Sequence, residues 1–171
     1  NERDHRKVVE SCKKEIDEIG SNLSAQDQAK LLQAYEAFTK HIEEKAWKEE
    51  GHGGAGSWRT ARILNSIIMH KQGYLKLVKS VENGFRPEIK HGYKHADRRL
   101  NKVYQILMAD LKGSQIFSLE STIKEQDVRD VQRLWIPYRD STAELFSLLH
   151  PAVDEMPWKT WLTNKRTKQL E

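Results

Sequence analysis

The stretch Asp130-Val131-Gln132-Arg133-Leu134-Trp135-Ile136-Pro137-Tyr138-Arg139-Asp140 decides how the chain is read. Gln132, Trp135 and Tyr138 recur every third residue, and Arg139 follows Trp135 by four. On a helix these spacings place the side chains on one face. An indole, a phenol and a guanidinium then stand together. Each ring buries an apolar body while its polar tip seeks a partner. The guanidinium can take a carboxylate in its planar fork. The direct reading is an amphipathic helix that turns its tryptophan into a core. Pro137 removes a backbone donor inside that helix and is expected to bend it.

The apolar residues on both sides of this stretch fall at helical spacing, and no segment alternates as a strand would. Val8, Cys12, Ile16 and Ile19 form one stripe of a first helix. Gly20-Ser21-Asn22 ends it, and Ser24 with Asp27 reads as the N-cap of a second. That second helix, from about Ala25 to Glu49, presents Leu31, Leu32, Tyr35, Phe38, Ile42 and Trp47 as its apolar face. Gly51 to Ser57 holds four glycines in seven residues and reads as a mobile loop. A third helix carries Ile63, Leu64, Ile67, Ile68, Tyr74, Leu75 and Val78, with Gly73 as a weak point. Asn83-Gly84-Phe85-Arg86-Pro87 is the clearest break. A fourth helix turns Leu100, Tyr104, Leu107, Met108 and Leu111 inward, and the Trp135 helix runs on to about Leu149. Met156-Pro157-Trp158 opens a last helix. The expectation is an all-α protein of about six helices.

The halves resemble each other. Moving Val8, Cys12, Ile16 and Ile19 forward by 92 positions lands on Leu100, Tyr104, Met108 and Leu111. A shift of 97 takes Phe38 to Trp135 and His41 to Tyr138. This suggests two tandem three-helix units packed as one bundle, the first (1–84) diverged and the second spanning 85–171. Chance register between amphipathic helices is the alternative.

The 171 residues suit one domain or two small ones. The 29 basic and 25 acidic residues are interspersed, for a net charge of +4, and form no basic stripe of the kind a duplex reader carries. Nucleic acid is therefore not the expected partner. Cys12 is the single cysteine, cannot form an internal disulfide, and reads as a buried small apolar residue. No apolar run approaches the roughly 18 residues a membrane span needs. The chain begins at Asn1, which suits a trimmed or mature secreted form.

No nucleophile elbow, phosphate loop or zinc-protease helix is present, so no catalytic residue and no cofactor is assigned. His91 and His95 are four apart, with Glu88 nearby, but Gly92 weakens the helix between them and no second ligand cluster accompanies them. A solvated helix start is the simpler reading. Trp158 and Trp161 are core candidates that would become binding anchors if exposed. His52, in the glycine loop, is a third candidate for partner binding. Asp97 with Arg139, or Asp140 with Arg166, are candidate ion pairs between helices.

Three pieces together resemble a known family. Asp97-x-x-Leu100-Asn101-x-x-Tyr104, then Gln132-x-x-Trp135-x-x-Tyr138-Arg139-Asp140, then Leu162-Thr163-x-x-Arg166-x-x-x-Leu170 occur in the order seen in the LprI type of small secreted bacterial domains. The type is named for a lysozyme inhibitor. Its usual cysteines have no counterpart here, where Ala143 and Trp158 or Trp161 stand in those neighbourhoods. The resemblance implies that the motif residues determine a fold and form no active site. It further implies a non-enzymatic periplasmic or secreted protein that occludes the cleft of a lysozyme-like or other wall-degrading enzyme. An immunity protein against a secreted toxin and a helical adaptor are the alternatives. The basic character of the chain favours an acidic target over a basic animal lysozyme.

Overall fold

The computed structural model describes residues 2–50, 56–114 and 123–171. They form six α-helices: α1 Glu2–Ser21, α2 Ala25–Lys45, α3 Ser57–Glu82, α4 Tyr93–Ser114, α5 Glu125–Leu149 and α6 Glu155–Leu170. A π-helical turn, Ala46–Glu50, prolongs α2. No strand occurs among the described residues.

Local chemistry sets the boundaries. The Ser24 hydroxyl accepts from the Asp27 N–H at 3.1 Å and starts α2 as the sequence requires. The Asp127 carboxylate accepts from the Lys124 N–H at 2.9 Å and plays that part at α5. Gly84, at φ 91°, takes the left-handed conformation that ends α3. The reversal returns the Phe85 N–H to the Ser80 carbonyl at 2.8 Å. It also delivers the Phe85 ring to Trp158 and Trp161, at 6.1 and 5.7 Å between centroids. α5 continues through Pro137 without interruption.

The central layer is α2 packed along α5, the most extensive interface among the described residues; α1 lies on α3, and α4 on α6. The main apolar cluster is continuous across both halves, from Cys12 and Ile16 through Phe38 and Tyr74 to Phe146 and Trp158. Tyr74 joins α3 to α5 through a 3.2 Å hydrogen bond with Thr142.

Several expected inward residues are turned elsewhere. Leu32 is 43% and Trp47 46% exposed. Leu32 lies one residue, or about 100° of helical rotation, from the fully buried Leu31. Trp47 belongs to the π turn, whose extra residue takes it off the stripe of α2. On α4 only Ala96 and Leu100 are fully buried, while Tyr104, Leu107, Met108 and Leu111 are half-buried. Trp135 is buried at 2% exposure, but it stands outside the main cluster. It is packed on one side by Arg139, whose guanidinium carbon lies 5.0 Å from the indole and 5.6 Å from the Tyr93 ring.

Candidate functional site

The most demanding group in the fold is Arg166, on α6, whose side chain has no exposed surface. A buried guanidinium is tolerated only when paired and hydrogen-bonded. Its two terminal nitrogens reach both Glu49 oxygens, at 3.0 and 2.7 Å, and its Nε reaches Gln132 at 3.1 Å. The π turn brings Glu49 to this position. The expected pairs are not the ones formed. Arg139 pairs with its neighbour Asp140 at 2.8 Å, Asp97 accepts from Asn101 at 3.2 Å, and Arg166 selects a carboxylate from the other half of the chain.

Around Arg166 opens a cavity of about 260 Å³. Its buried lining includes Phe38, His41, Lys45, Tyr74 and Trp135, with Tyr138 half-buried beside them. Lys45 pairs with Glu50, which also accepts from Ser66 and lies 3.1 Å from His70 Nε2. His41 stacks on Tyr138, with centroids 5.2 Å apart and planes at 10°, and its Nδ1 has no hydrogen-bond partner among the described residues. Burial, reinforced by the cations of Arg166 and Lys45, holds the His41 imidazole neutral and lowers its pKa to about 3. Burial also lowers Lys45 and His70 and raises the Tyr138 hydroxyl.

This arrangement sets a pH dependence. The unfolded imidazole, with a pKa near its ordinary 6.5, takes up a proton that the folded one refuses until about pH 3. Stability is therefore full above about pH 6.5 and is lost as pH falls toward about 3. Between about pH 7 and about pH 4 the loss should be about 3 kcal/mol, and His41→Phe, which keeps a ring against Tyr138, should flatten that limb. Urea unfolding at a series of pH values measures it; an unchanged acid limb in the variant would remove His41 from the account.

A second concavity, of about 560 Å³, lies between α4 and α6. Lys90, His91, His95, Arg99, Lys165 and Lys168 line it, with Glu88 as the single acidic lining residue among those described. Arg99 also pairs with Glu171. Trp161 is half-buried in its wall, and the Lys165 ammonium lies 3.9 Å above the Trp161 ring. The His91 and His95 rings are neighbours at 4.5 Å, but no group of three or more His, Cys, Asp or Glu among the described residues could hold a metal ion.

Of the residues singled out for partner binding, Trp158 is fully buried edge-on against Phe146 at 5.2 Å and offers no surface. Trp161 reaches the basic groove. His52 lies outside the described residues. The family-like residues divide in the same way. Leu100, Trp135, Thr163 and Arg166 are buried, whereas Asn101 is exposed. His41, Lys45, Glu49 and His70 escape the motif reading. The available signal is His41 and Lys45, four apart on the face that also carries Phe38 and Ile42.

The groove, Trp135 and Arg166 all fall in one span. Residues 88–170 match the family model of lysozyme inhibitor LprI. The LprI-like span runs from the approach to α4 to the end of α6 and contains all three motif pieces. No curated protein and no solved structure matches the chain. α1–α3 and the π turn that supplies Glu49 to Arg166 lie outside the LprI-like span. No helix among the described residues is long and apolar enough to cross a membrane.

Proposed function

We propose that the protein is a non-enzymatic binding protein of the bacterial cell envelope, periplasmic or secreted, that inhibits a lysozyme-like or other wall-degrading enzyme by covering its cleft. The observation that carries this reading is the LprI match over 88–170, the span that builds the basic groove. A glycosidase cleft depends on paired carboxylates. Lys90, Arg99 and Lys168, beside the half-buried Trp161, suit an acidic rim of such a cleft and would remove water from it. The net charge of +4 and a sequence pI of about 9.1 work against long-range attraction to a basic lysozyme. They favour an acidic enzyme. The same charge supports a second reading within this logic, an immunity protein that neutralises an acidic toxin.

Titrating the pure protein into cell-wall lysis assays with acidic and basic hydrolases tests the proposal. Stoichiometric loss of lysis is expected with an acidic enzyme, weakening as salt rises. Reversing charge at Lys90 and Lys168 should weaken inhibition by about tenfold or more while helicity is retained. Full lysis by every enzyme at saturating protein would refute the inhibitor reading and leave an adaptor as the better account.

A further inference from the structure

The cavity around His41 is distinct in its floor from the groove assigned to protein binding, and it has the features of a small-molecule site. Its floor is aromatic: Phe38 and Tyr74 are stacked at 4.1 Å, and Tyr138 closes on them at 5.4 and 6.3 Å. Its exposed lining residues, Met69, Gly73, Lys165 and Gln169, form the mouth.

Two observations separate it from a packing defect. The first is charge. Arg166 is matched by Glu49 and Lys45 by Glu50, whereas Lys165, which lines the mouth, holds its ammonium over the neighbouring Trp161 ring and has no carboxylate partner among the described residues. With His41 neutral, one positive charge is left over. A polar void in a protein takes up ligand or water. An aromatic floor below one uncompensated cation suits a ring with a single negative charge.

The second is Gly73. Glycine is a poor helix former, yet Gly73 sits inside α3, with no positive φ to require it. A Cβ there would meet nothing within 4 Å, so close packing does not require glycine either. What its missing side chain leaves clear is the mouth of the cavity.

The geometry points to a binding site for a small aromatic monocarboxylate, its ring against Phe38, Tyr74 and Tyr138 and its carboxylate toward Lys165. The site is independent of the inhibitor reading, because the test below measures binding to the whole chain without any hydrolase.

Phenylacetate is the probe, with phenylacetamide as its uncharged match. Titration followed by NMR of the His41 imidazole and the Gly73 amide should show one saturable site, with the amide about tenfold weaker or more. Lys165→Ala should weaken phenylacetate by a similar factor, about tenfold. Gly73→Trp, which puts a bulky group at the mouth, should abolish binding without lowering the melting temperature. Absence of saturable shifts, meaning a cavity that holds water only, would overturn the assignment. So would equal binding of acid and amide, or shifts confined to the groove lined by His91 and His95.

Discussion

Arg166→Met should destabilise the fold by about 3–5 kcal/mol, the loss expected when one partner of a buried ion pair is removed. The methionine fills much of the volume, so packing is a minor part. The larger part is Glu49, whose side chain is only 12% exposed and would be left without its cation, together with Gln132. Glu49 belongs to the first half and Arg166 to the second, so the damage falls on the junction between them. Denaturant unfolding reads it as a fall in midpoint at an unchanged slope. The double variant Arg166→Met, Glu49→Gln should recover a substantial part, because the uncompensated charge is gone. A single variant within about 1 kcal/mol of the parent would show that the pair is solvated, contrary to its buried position.

Trp135→Ala should likewise lose about 3–5 kcal/mol, as large-to-small changes of buried aromatic residues do. Its location makes the consequence specific. Trp135 is not part of the main apolar cluster; it stacks with Arg139, which in turn covers Tyr93 at the start of α4. Hydrogen exchange should therefore show the largest loss of protection in α4 and the N-terminal half of α5, with α1 and α3 less affected. Trp135→Phe should lie between, keeping a smaller ring under the guanidinium. An alanine variant as stable as the parent would mean that the ring contributes little beyond occupying space.

Both predictions bear on a duplication of the chain. Under the shift of 97, His41 corresponds to Tyr138, and these two rings stack directly on each other across the α2–α5 interface. Residues at a two-fold axis between repeated units would meet in this way. We treat the tandem origin of residues 1–84 and 85–171 as a proposal on this ground.

Legibility in the sequence followed the range of the forces. Ser24, Gly84 and Pro157 mark helix ends because capping, left-handed turns and missing donors act within a few residues. Cys12, Ile16, Phe38 and Ile67 were readable as core because a 3.6-residue period already implies one buried face. Leu32 and Trp47 were not, since adjacent apolar residues compete for one face and a π turn changes which of them wins. The partners of Arg139 and Arg166 were out of reach for a related reason. Several carboxylates lie at plausible separations in sequence, and only packing selects among them.

The sequence by itself determined six amphipathic helices, their ends, and the LprI-like motif that spans the last three. The tertiary structure alone decided that Trp158 is core while Trp161 lines a groove, that Arg166 reaches back to Glu49, and that His41 closes a cavity. The physical reason is that helix formation and amphipathic burial depend on neighbours along the chain. The burial of a charge depends on which distant group arrives to compensate it.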